Sequence, residues 1–191
     1  GRAGKTQGGG GGIGGRAPQP SANRRAAAKA ARPSSAKVAV HKGERVALIG
    51  SNGAGKSTMM KMMVGLLRPN SGCVSLYGEA IGEKKAEDLS RQISLVYQNP
   101  EEMFIKDSIE ADIAYAMQVR GISDWEKRTG ELLERFRLTP LRKRDGRLLS
   151  GGQMRRASLA IGIALNPEIL LLDEPTANLD PSVRHRLLGY L

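Results

Sequence analysis

Nine consecutive residues, Gly50, Ser51, Asn52, Gly53, Ala54, Gly55, Lys56, Ser57 and Thr58, combine free-turning glycines with an ammonium and two adjacent hydroxyls. Two glycines with four residues between them, followed by Lys and Ser, suit the cradling of phosphate. Backbone N–H groups turn toward the oxygens, Lys56 reaches the β- and γ-phosphates, and the Ser57 hydroxyl binds Mg²⁺. A helix beginning at this point adds a positive dipole end. A second chemical cluster lies far down the chain, where four apolar residues, Ile169 to Leu172, run into Asp173 and Glu174. Asp173 is placed to hold Mg²⁺ through its water shell, and Glu174 to polarise a water for attack on a γ-phosphate. A third lies at Leu149, Ser150, Gly151, Gly152 and Gln153. Backbone N–H groups of Ser150 to Gly152 at the start of a helix make a second anion site. Two phosphate sites so far apart in sequence suggest a nucleotide held between two subunits.

These residues need elements to carry them. The apolar run Arg45 to Ile49 reads as a buried strand entering the glycine loop, and Met59 to Leu67 as the helix leaving it, stopped by Pro69. Cys73 to Tyr77 alternates like a strand, and Ile93 to Tyr97 is another that runs straight into Gln98. The middle of the chain is helical. Asp107 to Glu110 resembles a capping box, followed by Ile109, Ile113, Ala116 and Met117 at helical spacing. Trp125 to Leu138 gives a second helix with Leu132, Leu133 and Phe136 on one face, and Ser150 opens a third that reaches Leu165. The uninterrupted run Ile169 to Leu172 is typical of a strand covered on both faces. Strand, loop and helix alternation around a helical insertion predicts an α/β fold with a parallel core.

Composition narrows the partners. The net charge is +11, but eight of the 30 Lys/Arg and none of the 19 Asp/Glu fall in residues 1–37. The body carries 22 basic against 19 acidic residues, so a basic nucleic-acid surface is not expected. Residues 1–37, with nine glycines in the first fifteen positions, read as a disordered, low-complexity basic tail. A transit peptide, a genuine extension and a misplaced start are all compatible with it. Cys73 is the single cysteine, which excludes an internal disulfide and fits a reducing compartment. No apolar run approaches the ~18 residues of a membrane span.

Taken in order, the loop at 50–58, the Gln98 loop, the Leu149 to Gln153 signature, the Asp173-Glu174 strand end and Ala177-Asn-Leu-Asp180 resemble the ATPase subunit of an ATP-binding-cassette (ABC) transporter. The resemblance covers roughly residues 38–191. It implies a P-loop NTPase fold, with core at 38–98 and 166–191 and a helical subdomain at about 99–165. It also implies ATP and Mg²⁺ as ligands, with hydrolysis coupled to transport.

Two subunits would pack head to tail, homo- or heterodimeric, each ATP touching the loop of one and the signature of the other. Gln98 would contact Mg²⁺ and the attacking water, and Asp180 would communicate across the dimer. A transmembrane subunit would dock on the helical region, with Met103 and Phe104 as candidate contacts, placing the chain on the cytoplasmic face of the cell membrane. The stretch Val96 to Phe104, with Asp112 to Tyr115, is similar to the ATPases of energy-coupling-factor and cobalt importers, which take up vitamins or metal ions. At its ends the chain departs from the family. The first aromatic residue is Tyr77, so the adenine-stacking position upstream of the loop is not filled. His185 stands too close to Glu174 to be the switch histidine, and Asn178 replaces the usual Gly. These departures imply a domain incomplete at both ends. They leave two other readings open, a non-hydrolysing nucleotide-binding remnant and a soluble ABC protein without a transport partner.

Overall fold

The computed structural model describes residues 38–175. The expected tail at 1–37, and Asn178, Asp180 and His185, lie outside the described residues. The described residues fall into two units, divided between Glu44 and Arg45. In the first, a turn at Lys42 and Gly43 is closed by the Glu44 N–H donating to the His41 carbonyl at 3.0 Å. The Glu44 carboxylate accepts the His41 N–H at 2.8 Å, which holds its pKa below the ordinary value.

The second unit is built on a pair of parallel strands, β3 (Ile93–Val96) and β4 (Ile169–Leu172). Before them come α1 (Lys56–Met63), a two-stranded antiparallel hairpin of β1 (Ser75–Leu76) and β2 (Glu79–Ala80), and the short α2 (Ala86–Leu89). Between β3 and β4 the chain passes through α3 (Ile109–Val119), α4 (Trp125–Arg135) and α5 (Gly151–Ile163).

The period-two alternation of a strand assigns each apolar residue of the pair to a layer. Val96, Leu170 and Leu172 pack on the helices, in a core that includes Ile109, Ile113, Met117, Leu133, Phe136 and Leu159. Ile93, Ile169 and Leu171 pack the other way, on Leu76, Ile81 and Leu89. Packing on both faces, which leaves all four of Ile169 to Leu172 half-buried, is why apolar residues can follow one another without a polar interruption. The close fit on the helical side depends on Gly162 of α5. A Cβ there would stand 2.5 Å from Val96 Cγ2, so a side chain would push helix and strand apart.

Several boundaries differ from the sequence expectation, each for a local reason. Arg45 to Ile49 is not a strand; Val46 is 56% and Ile49 92% exposed. A strand exists only through its ladder partners, and no described strand pairs with this run. The helix after the glycine loop spans Lys56–Met63 rather than 59–67, because Gly65 takes a left-handed conformation (φ 76°). Its N–H donates to the Met62 carbonyl and that of Leu66 to the Lys61 carbonyl, a Schellman stop that precedes Pro69. The same closure ends α4 at Arg135, where Arg137 is left-handed (φ 55°) and the Leu138 N–H reaches the Leu133 carbonyl at 2.7 Å. Only Ser75 and Leu76 of the Cys73 to Tyr77 run are ladder residues, and their partner strand, Glu79–Ala80, was not foreseen. The cap of α3 is Ser108, accepting from the Ala111 N–H, so Glu110 is free of a capping role and instead meets Arg142 and Lys143.

Candidate functional site

The glycine loop reaches α1 through Gly55, its N-cap, at φ 90°. That angle is open to glycine and strained for other residues, and no side chain caps the helix. The first N–H groups of α1 therefore keep their capacity to bind an anion. Lys56 folds back over the loop, its Nζ donating to the Gly50 carbonyl at 2.8 Å and to that of Ser51 at 3.1 Å. Beside it opens a cavity of about 380 Å³ lined by Asn52, Gly53, Gly55, Lys56, Ser57, Thr58, Gln98 and Glu174.

Two of those residues come from elsewhere in the chain. Gln98 stands just past the end of β3 and Glu174 just past the end of β4, so the parallel register that pairs Val96 with Leu172 delivers both to one side of the sheet. There the Gln98 Nε2 donates to Glu174 Oε2 at 2.9 Å. Glu174 turns with φ 45°, a left-handed conformation that costs a non-glycine residue on the order of 1 kcal/mol. Backbone strain of this kind persists where surrounding structure holds it, and it concentrates at functional positions.

Asp173 behaves differently from its neighbour. It is 5% exposed, does not line the cavity, and its N–H continues the ladder to the Val96 carbonyl at 3.0 Å. It lies near enough to Arg155 of α5 for its carboxylate to favour that side chain's charged form. Arg155 is 4% exposed and donates from Nη1 to the Tyr97 carbonyl at 2.9 Å and from Nη2 to the Gln98 carbonyl at 2.6 Å. Burial pushes its pKa below the ordinary value, and the Asp173 carboxylate opposes that shift.

Leu149 to Gln153 stand apart from the cavity. Leu149 is buried in the helical core, whereas Ser150 and Gly151 are exposed at the start of α5. The Gln153 Oε1 accepts the Ser150 N–H at 3.0 Å and steadies the turn. The chain thus presents one cavity around Lys56 and a separate, outward-facing helix start.

Of the candidate partner contacts, Phe104 is 5% exposed and packs in the core against Gly146. Packing on a glycine takes the ring away from solvent, and the exposed apolar neighbour is Ile105, at 62%. Asp112 shapes this loop from beneath, its Oδ1 accepting the N–H groups of Ile105 at 2.8 Å and Lys106 at 2.9 Å.

Sequence reasoning passed over Arg155 and took Asp112 only as part of the Asp112 to Tyr115 resemblance, although both carried a further signal. Arg155 shares a helix face with Ser158, Leu159 and Gly162 (i, i+3, i+4, i+7), and Asp112 stands between Ile109 and Ala116 on an apolar stripe. A charge on a core-facing position is rare without a partner, and here the partners are backbone groups of the site loops.

A Mg²⁺ site fits the donors present. Among the described residues no group of three His, Cys, Asp or Glu could cage a metal. The Ser57 hydroxyl and the Gln98 amide share the cavity with Glu174. A few oxygen donors completed by phosphate and water are the habitual surroundings of Mg²⁺.

Comparisons with known proteins agree with this arrangement. The family described as ABC transporter matches residues 34–177. The energy-coupling factor transporter ATP-binding protein EcfA1 of Lacticaseibacillus paracasei is 40% identical over 154 residues, covering 80% of this chain and 55% of that protein. EcfA1 of Enterococcus faecalis is 38% identical over 152 residues, covering 78% of this chain and 54% of the relative. The chain therefore spans about half the length of these relatives. Among solved structures, cbiO1 from Clostridium perfringens, described as part of the ABC transporter complex cbiONQ, is similar with a TM-score of 0.63 and 29% identity. That similarity covers 74% of this chain and 58% of cbiO1. A phosphate loop, a glutamine and a glutamate brought to one cavity by a parallel strand pair, with a signature helix facing outward, are thus the P-loop NTPase arrangement of a known family. The chain belongs to the ABC transporters.

Proposed function

We propose that this chain is the ATP-binding and hydrolysing motor of a membrane importer of the energy-coupling-factor type, one that takes up vitamins or metal ions. The observation that carries the reading is the single cavity into which Lys56, Ser57, Gln98 and Glu174 converge from three separate parts of the chain. In this reading the loop N–H groups and Lys56 bind the phosphates of ATP. Lys56 leaves the Gly50 and Ser51 carbonyls for the β- and γ-oxygens, and there it offsets the charge that builds on them. Glu174 orients a water in line with the γ-phosphate and accepts its proton, while the Gln98 amide holds both in place. Bound Mg²⁺, held by Ser57 and Gln98, with Asp173 through water, would supply further neutralisation of phosphate charge.

The exposed start of α5 supports a dimer. Gly151 and Gly152, at the first turn of α5, offer N–H groups to an anion outside their own cavity, the property needed to complete a second subunit's site, while the Ser150 N–H is taken by Gln153. Asp180, beyond the described residues, is assigned to the same interface. Among the described residues no helix is long and apolar enough to cross a membrane, so the transmembrane path belongs to a partner subunit in this reading. The chain would sit on the cytoplasmic face of that partner, docked through the loop that exposes Ile105.

Phosphate release from MgATP tests the proposal, with the chain compared with Glu174→Gln and Lys56→Ala. Turnover that Glu174→Gln abolishes while nucleotide binding survives, and that Lys56→Ala loses together with binding, is the expected result. MgATP binding without turnover in the unsubstituted chain would overturn hydrolysis in favour of a nucleotide-binding remnant.

A further inference from the structure

Adjacent arginines at the start of α5 have divided roles. Arg156 turns to the helical layer, where its Nε donates to the Phe136 carbonyl at 3.0 Å. Arg155 turns to the sheet and meets the carbonyls of Tyr97 and Gln98 at 2.9 and 2.6 Å. The main chain at the end of β3 leaves the ladder there, and two successive carbonyls turn to a donor outside it. A planar guanidinium can serve both at once, which an ammonium does less well. Both contacts lie just past the end of β3, so one buried cation fixes the main chain that carries Gln98. Arg155 lies one helical turn past Gly151, the first residue of α5. It therefore stands between the outward-facing signature and the residue that holds Glu174 in the cavity.

We propose that Arg155 is a positioning residue: by fixing the Tyr97–Gln98 main chain it keeps the Gln98 side chain in the phosphate cavity against Glu174 and ties that placement to the first turn of α5. The inference deepens the proposed nucleotide site and rests on it. The Gln98 main chain cannot be displaced without moving Arg155, and a shift of the α5 N-terminus is delivered to it through one side chain. Contact at the signature of one site is thereby linked mechanically to the water-orienting residues of the other.

The full chain, Arg155→Met, Arg155→Lys, Gln98→Ala and Arg156→Met are compared by two measurements. In amide hydrogen exchange without nucleotide, Arg155→Met is expected to speed exchange at residues 97–106 about tenfold, with α3 and α4 unchanged. Arg156→Met is expected to leave 97–106 as they are. In titrations with a fluorescent ATP analogue, Arg155→Met is expected to lose the part of the affinity that Mg²⁺ adds, as Gln98→Ala does. Its Mg²⁺-free affinity stays within about twofold of the unsubstituted chain, and Arg155→Lys recovers part of both effects. A purely structural Arg155 would leave the Mg²⁺-dependent part intact. That result, or unchanged exchange at 97–106, overturns the proposal. If Arg155→Met unfolds the chain, Arg155→Lys decides: faster exchange confined to 97–106 supports the role and unchanged exchange there refutes it. If the unsubstituted chain binds no nucleotide, the nucleotide reading fails, and the exchange experiment still decides whether Arg155 holds Gln98.

Discussion

At the scale of single residues, the loop that follows Gln98 is held by a carboxylate inside the protein. Asp112 accepts two backbone N–H groups through Oδ1, while its buried Oδ2 has no hydrogen-bond partner among the described residues. Burial pushes its pKa above the ordinary value, so ionisation costs folded-state stability. Asp112→Ala is expected to destabilise by about 1–3 kcal/mol, since the amides of Ile105 and Lys106 lose their acceptor. Asp112→Asn keeps an oxygen for those amides and removes the buried charge, so its stability should lie close to that of the unsubstituted chain or above it. Urea melts of the two variants at neutral pH check the difference. Lys56, Ser57 and Glu174 were legible in the sequence because phosphate chemistry restricts residue type and spacing together. Arg155 and Asp112 were not, because what they serve is backbone of distant loops, and nothing in local spacing says which carbonyl or amide will lie opposite.

Elements were legible where the sequence pattern matched the environment on both sides. Ile169 to Leu172 is a strand end to end because it is covered on both faces, and α5 starts at Ser150 because Gln153 returns to cap it. Boundaries failed where the deciding interaction is a backbone closure. Gly65 could have been read as a stop, but Arg137 carries no such mark, since left-handed conformation there is imposed by the burial of Leu138 on Leu133. Arg45 to Ile49 failed for the opposite reason, having strand residues with no strand beside them among the described residues. Two predictions belong to this scale. Ser108→Ala removes the N-cap of α3 and should cost about 1 kcal/mol, seen as a lower urea midpoint at unchanged slope. Gly162→Ala forces a methyl toward Val96 and should destabilise by about 1–3 kcal/mol. Because Val96 lies two residues before Gln98, that variant should also weaken nucleotide binding, which a fluorescent ATP analogue would register.

Across the whole molecule, charge pairs set the response to pH. Glu110 is held between Arg142 and Lys143, the latter at 2.8 Å, and its pKa falls from 4.5 to about 2. A depressed carboxylate contributes stability that is present above its unfolded pKa and is lost as pH drops from 4.5 through about 2. Asp112, shifted upward, works in the opposite sense, its stabilising contribution lessening as pH rises from its unfolded value through its folded one. Thermal melts between pH 5 and 2 should therefore show a shallower loss of stability in Glu110→Gln than in the unsubstituted chain. The larger organisation was legible from the order of motifs, which named a family before any geometry was known. What order could not supply is that the Gln98 and Glu174 side chains touch, because that contact depends on the register of β3 against β4. The central claim is that the cavity bounded by Lys56, Ser57, Gln98 and Glu174 binds a magnesium nucleotide. Equilibrium titration of the chain with a fluorescent ATP analogue tests this most directly. Saturable binding that Mg²⁺ strengthens, that Gln98→Ala makes insensitive to Mg²⁺ and that Lys56→Ala abolishes is the predicted result; binding that survives Lys56→Ala unchanged, or no binding at all, would contradict it.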